Sequence, residues 1–125
     1  MSLELKDLSS VVIGAAIEVH RQLGPGFLES IYENSPRIEL RKRGVVAEFQ
    51  KEVRVFYDGE MVGLHRVDLL VADQLVVELK AIKAHDDVHF AQVRSYLKAL
   101  NLKHGLLINF ATHPLTVKRV IAPTE

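Results

Sequence analysis

Across residues 8–23 the apolar residues Val12, Ile13, Ala16, Ile17 and Leu23, joined by His20, recur at helical spacings, which predicts an amphipathic helix. Ser9 or Ser10 is the expected cap at its start, and Gly24-Pro25-Gly26 ends it and turns the chain. A second helix is predicted over residues 28–43, with Leu28, Ile31, Ile38 and Leu40 as its apolar support and Gly44 just beyond its end. Pro36 falls inside it. An interior proline removes one backbone hydrogen bond and crowds the preceding turn, at a cost of about 3 kcal/mol. A kink or break is therefore expected near residues 34–36.

From Val45 the period changes to two. Residues 48–57 alternate and are rich in β-branched and aromatic side chains, so they read as a strand. Asp58-Gly59 predicts a hairpin, because both central positions of a type I′ turn need positive φ. A second strand follows over residues 61–71, a short turn at residues 72–74, and a third strand over 75–81. Leu69-Leu70-Val71 and Val76-Val77 are apolar on both faces, the pattern of central strands covered on both sides. Residues 85–100 return to a helical period through Val88, Ala91, Val93, Leu97 and Leu100, and Asn101 closes that helix. Residues 105–110 read as a buried strand and residues 116–121 as a weaker terminal one. The predicted order is α-α-β-β-β-α-β-β, an α/β fold with a mixed sheet flanked by helices.

Composition narrows the class. Within 125 residues, 16 Lys+Arg balance 16 Asp+Glu, and 48% of positions are hydrophobic. One domain over residues 1–125 is the natural count for that length, and the apolar content is too high for disorder. The absence of cysteine excludes disulfide scaffolds and thiolate metal sites. No apolar run is long enough to span a membrane, and the start lacks the basic-then-apolar order of a secretion signal, so a cytoplasmic protein without membrane association is expected. A neutral chain does not grip nucleic acid by bulk charge. If it handles nucleic acid, it does so through a local site.

Two residues interrupt the most apolar part of the sheet, Asp68 within residues 67–71 and Glu78 within residues 75–80. Carboxylates in central strands are costly unless paired or bound to a cation. Glu78 and Lys80 are two apart on one strand and project from the same face. With a three-residue loop at 72–74, Asp68 falls directly opposite Glu78, with Cβ atoms about 4.5–5.5 Å apart. Two anions so close repel each other, and a hard dication such as Mg²⁺ or Mn²⁺ relieves this. The backbone carbonyl of Leu79 is a further candidate ligand. Lys80 beside them can orient water and offset charge on a phosphate, the parts that metal-assisted hydrolysis needs. The plain alternative is a structural acid–lysine pair on a solvated strand face.

Asp68 followed by Glu78-Leu79-Lys80 resembles the D…(D/E)-x-K core of the PD-(D/E)XK nuclease superfamily. Gly26-Phe27-Leu28-Glu29-Ser30-Ile31-Tyr32 is similar to the pattern that names the GxxExxY proteins. Val19-His20, Leu23 to Gly26, Gln92 to Leu97 and Gly105 to Phe110 also resemble that family, so the likeness covers nearly the whole chain. Val67 stands where the motif's name has proline, and Ser35-Pro36 stands where the family continues its helix with small or apolar residues. The resemblance implies a restriction-endonuclease-like fold and a divalent-metal phosphodiesterase site acting on nucleic acid, DNA ahead of RNA. It implies Asp68 and Glu78 as metal ligands helped by Glu29, Lys80 as the catalytic lysine, and Gln92 and Tyr96 as a supporting Q-x-x-x-Y element. Gln92 and Tyr96 are i and i+4 on one helical face, and Glu29 and Tyr32 are i and i+3 on another. The alternative function is a catalytically silent nucleic-acid-binding or protein-interaction module on the same fold. A homodimer would lengthen the surface offered to nucleic acid.

The remaining candidates have simpler readings. His20 on an apolar helix face is more often a hydrogen-bonded core residue than a ligand, and the family likeness adds a site-lining role as the alternative. His85 and His89, at i and i+4, have zinc-compatible spacing but no third ligand, so a solvated helix start is expected. Arg41-Lys42-Arg43 complements the dipole at its helix's end. Gly24-Pro25-Gly26 lacks the Gly-Lys-Ser/Thr of a phosphate loop. Tyr96 has core packing as its plain alternative.

Overall fold

The structure, a computed structural model, describes residues 4–84 and 86–123. Its elements follow the predicted order: α1 (Leu5–Leu23), α2 (Glu29–Lys42), β1 (Ala47–Tyr57), β2 (Glu60–Val71), β3 (Leu75–Lys80), α3 (Asp87–Leu100), β4 (His104–Asn109) and β5 (Thr116–Ile121). The strands form one sheet in the order β1-β2-β3-β4-β5. Neighbours are antiparallel except β3 and β4, which run parallel and are joined through α3. The doubly apolar segments are central, as their composition requires, because helices cover both faces. Leu69, Val71, Val77, Leu106 and Ile108 pack with Leu8, Val12 and Ala16 of α1 and Tyr32 of α2. Leu70, Val76 and Leu107 pack on the other face with Val93, Tyr96 and Leu97 of α3. Each such side chain contributes about 1.5–3 kcal/mol on burial, enough for the central strands to dictate the layering.

The Asp58-Gly59 turn is present, with φ of 52° and 80°, and Tyr57 pairs with Glu60 across it. Asn101 ends α3 in the left-handed conformation, as expected. Other expectations are corrected. Neither Ser9 nor Ser10 caps α1: the helix starts earlier, with Glu4 at the cap position, Ser9 buried, and the Ser10 hydroxyl donating to the Lys6 carbonyl. The predicted break near residues 34–36 is absent. α2 runs through Pro36, which is buried in line with Tyr32 and Leu40 one turn to each side. That burial offsets the missing hydrogen bond, and the Ser35 hydroxyl donates to the Ile31 carbonyl at 2.7 Å. Leu28, Ile31 and Ile38, expected to support α2, are exposed instead, as are Ile17 on α1 and Val88 on α3. The buried faces instead carry His20 on α1, Tyr32 on α2 and Tyr96 on α3.

Gly105 on β4 shows how tightly α3 sits. A Cβ there would lie 2.8 Å from Val93 Cγ1 and 3.3 Å from the Val76 carbonyl oxygen. Gly105→Ala is expected to destabilise the fold by about 1–3 kcal/mol, read as a lower urea midpoint.

Candidate active site

The β2–β3 hairpin places the acids. Its three-residue turn carries positive φ at Ala72 and Asp73, and the strands pair Val71 with Leu75, Leu70 with Val76 and Leu69 with Val77. The next positions in that register are Asp68 and Glu78. There backbone pairing stops and side chains take over. The Asp68 N–H donates to Glu78 Oε1 at 3.1 Å, and the Leu79 N–H donates to Asp68 Oδ2 at 2.9 Å. Both acids are buried, Asp68 at 9% and Glu78 at 2% exposure, which removes the solvated-face alternative. Lys80 Nζ lies 3.4 Å from Glu78 Oε2, on the shared face that the two-residue spacing requires.

The strands open here because their pleat changes. Ala47 and Phe49 of β1 and Leu69 and Val71 of β2 pack toward α1 and α2, whereas Val53 and Val67 pack toward α3. Between them Gln50 takes φ of 53°, and its Nε2 donates to Asp68 Oδ1 at 3.4 Å. Strict alternation would keep Val67 and Leu69 on one side. The left-handed residue and the side-chain bonds at Asp68 break the alternation and expose the acid pair to both helical layers.

From the α2 side, Glu29 Oε2 accepts the Ala81 N–H at 3.3 Å, beside the end of β3. Glu33, one turn further along α2, also reaches the site. Partial burial, then the charges of Asp68 and Glu29, raise its carboxyl above the ordinary value, against the pull of Lys80. From the α3 side comes Tyr96, whose phenol is pushed up to about 12 by burial and then by the negative charges of Glu78 and Asp68, with Gln92 opposing. The Tyr96 ring meets His65 edge-on at 4.9 Å, and His65 Nε2 lies 2.8 Å from Ser95 Oγ, which ties the β1–β2 hairpin to α3. Glu29, Asp68, Glu78, Lys80, Gln92 and Tyr96 thus gather around the point where β2 and β3 part. Gln50 and Glu33 were not singled out from sequence. The i, i+4 spacing of Glu29 and Glu33 was a readable signal for the second, and nothing in the sequence marks Gln50.

The electrostatics follow from crowding. Burial first, then the charge of Asp68, pushes the Glu78 carboxyl up to about 8, while the Asp68 N–H and Lys80 pull the other way. Burial also raises Asp68, opposed by the Leu79 N–H, Lys80 and Gln50. Among the described residues no three His, Asp or Glu side chains are arranged as a ready cage for a metal. The donor chemistry nevertheless fits a hard dication. Among the described residues each buried carboxylate has one oxygen fixed by a backbone N–H, and its other oxygen meets only a side chain at 3.4 Å. A cation between them would offset the burial, and the neighbouring negative charge of Asp68 on Glu78 and of Glu29 on Asp68, that raise these two groups.

The other candidates are accounted for structurally. His20 is buried, its Nε2 lies 2.8 Å from the Thr112 carbonyl oxygen, and its ring stacks on His113 at 5.7 Å between centroids. Tyr32 stacks on Phe110 at 4.7 Å, donates to the Gly24 carbonyl and accepts the Phe27 N–H at 3.1 Å, so it pins the turn that launches Glu29. His89 Nδ1 accepts the Asp86 N–H in the capping box of α3. Its proposed mate, His85, lies outside the described residues. Lys42 and Arg43 form ion pairs with Glu39.

A sheet covered by helices on both faces, with two buried acids and a lysine where central strands separate, defines a nuclease-like α/β domain. The chain belongs to the PD-(D/E)XK nuclease superfamily, whose model matches residues 6–120. Members generally use divalent metals. Among solved structures, the crystal structure of SSO0001 is similar, with a TM-score of 0.61 at 17% identity over 78% of this chain and 52% of that one. The likeness is one of fold, and this chain spans about half the length of SSO0001. No curated protein matches the chain significantly. No described helix is long and apolar enough to cross a membrane.

Proposed function

We propose that the protein is a divalent-metal-dependent phosphodiesterase that hydrolyses nucleic acid, DNA in preference to RNA, and that it belongs with the GxxExxY proteins. The observation that carries this reading is the buried Asp68–Glu78 pair with Lys80 beside it, at a site reached from α2 and α3. Asp68, Glu78 and the Leu79 carbonyl would hold Mg²⁺ or Mn²⁺, with Glu29 as a further acid. When bound, the dication supplies charge to polarise the phosphate and to acidify water. Lys80 orients the attacking water and offsets charge on the phosphate oxygens. Tyr96 keeps its proton at working pH and so remains a hydrogen-bond donor, held in place by Gln92. Pairing into a homodimer would extend the contact with a strand beyond what one neutral chain offers.

The test is incubation with labelled single- and double-stranded DNA and RNA in Mg²⁺, Mn²⁺ or EDTA. Cleavage should need the metal and should fall about 100-fold or more in Lys80→Ala. Binding that survives Lys80→Ala, with no cleavage by wild type under any condition, would instead identify a silent binding module.

A further inference from the structure

The β1–β2 hairpin outruns the sheet it belongs to. β3 pairs with β2 at Leu69, Leu70 and Val71, so among the described residues 60–67 pair with β1 alone, and β1 is itself an edge strand. α3 covers one face of this ribbon, through Val53, Val67 and the ring contact of His65 with Tyr96. The opposite face carries Glu52, Arg54 and Phe56 of β1 with Arg66, Leu64 and Met61 across from them, and all six are exposed. Tyr57 and Val62 at the tip are exposed too. Among the described residues no backbone group of residues 47–57 bonds to the backbone beyond the β1–β2 ladder. A bare two-stranded ribbon is marginal in water, and an open edge beside a cluster of large exposed apolar side chains is a surface suited to pairing.

We propose that β1 is the interface of a symmetric dimer, paired antiparallel with β1 of a second copy of this chain. The charges select this occupant and fix its register. In such a pairing opposed residues lie on the same face, so the two-fold axis lies level with one residue of each strand. Centred on Lys51, Glu52 or Arg54, the axis sets a charge against its own copy, and centred on Val55 it sets Glu52 against Asp58. Centred on Val53, it sets Glu52 against Arg54 of the second copy and Arg54 against the second Glu52. One symmetry operation thus makes two opposite-charge pairs. Arg54 forms no ion pair among the described residues, and this register gives it one. The regular ladder runs from Lys51 to Val55 and stops at Gln50, whose backbone is left-handed. Phe56 then comes level with Gln50 of the second copy, next to Phe49, whose ring lies under Arg37 on that same side. The axis stands normal to the sheet, so both copies turn the same face, and their acid pairs, the same way. This is the interface of the homodimer named above, and it holds whether or not the site turns over.

Sedimentation velocity in EDTA tests this without any cleavage. Wild type should run as a dimer at about 100 μM, above the micromolar dissociation constants of modest interfaces. Arg54→Glu and Glu52→Arg should each run as a monomer, since either homodimer opposes like charges twice. The two variants mixed in equal amounts should form a dimer again, because both pairs are then opposite in sign. Glu52 and Arg54 are exposed, and the ion pair of Glu52 with Arg66 lies at the surface, so both variants should keep the fold, checked by circular dichroism. A monomeric wild type, a dimer that survives Arg54→Glu, or variants that stay apart when mixed overturns the proposal. Cleavage by a protein that sediments as a monomer would remove this interface and leave the nuclease reading standing, so the two fail separately.

Discussion

Asp68→Asn is expected to stabilise the metal-free protein at pH 8 while abolishing metal-dependent cleavage. The two acids are buried, each accepts from a different backbone N–H, and each is raised by desolvation. Asparagine keeps an oxygen for the Leu79 N–H and turns its NH2 toward Gln50, whose own amide flips to present its oxygen as acceptor, while the negative charge facing Glu78 disappears. Relief of about 2 kcal/mol should appear as a rise of about 5–10 °C in melting temperature. The gain should vanish near pH 5, where the pair already carries a proton. Cleavage should fall by about 100-fold or more, since loss of an outer partner of a metal ligand already costs up to that much. A variant that is both less stable in EDTA at pH 8 and still active would remove the electrostatic account. Stability given up at a site for the sake of function is a common compromise.

Metal-free stability should also fall as pH rises from about 4.5 to about 8. The Glu78 carboxyl is raised from 4.5 to about 8 by burial and by Asp68. Across that window the folded protein keeps a proton that the unfolded chain has released. The stabilising contribution is therefore complete below the unfolded value and is lost as pH climbs through the folded one. A tenfold difference in proton affinity between the folded and unfolded chain is worth about 1.4 kcal/mol. A loss of about 2–4 kcal/mol is therefore expected between about pH 5 and pH 8.5 in EDTA, read from urea midpoints. Manganese should flatten the slope, because a cation binds the deprotonated pair and releases the proton. A level profile in EDTA would show that the carboxyls are not crowded.

Much of this site could be read from the chain because strand register is discrete. A three-residue loop at 72–74 leaves Asp68 opposite Glu78, and a spacing of two leaves Lys80 on the side of Glu78. Those relations survive any error in where the strands end. The central position of β3 was equally legible, since a run apolar on both faces has to be covered twice. What escaped depends on contacts distant in sequence. Gln50 adopts a left-handed backbone where β1 and β2 change faces, and no local preference announces that. Pro36 looked like a helix breaker because the cost of its missing bond is local, whereas the burial that offsets it comes from tertiary packing. His89 was expected at a solvated helix start, and its Nδ1 serves the cap there. Glu33, one turn beyond Glu29 on the same face, carries a signal in its i, i+4 spacing.

The most direct test is anomalous scattering from crystals soaked in Mn²⁺. The account predicts a manganese peak in contact with one carboxylate oxygen each of Asp68 and Glu78, absent from Asp68→Ala crystals. No peak at millimolar Mn²⁺, or a peak elsewhere with both acids still bound to the Asp68 and Leu79 N–H groups, Gln50 and Lys80, would contradict it.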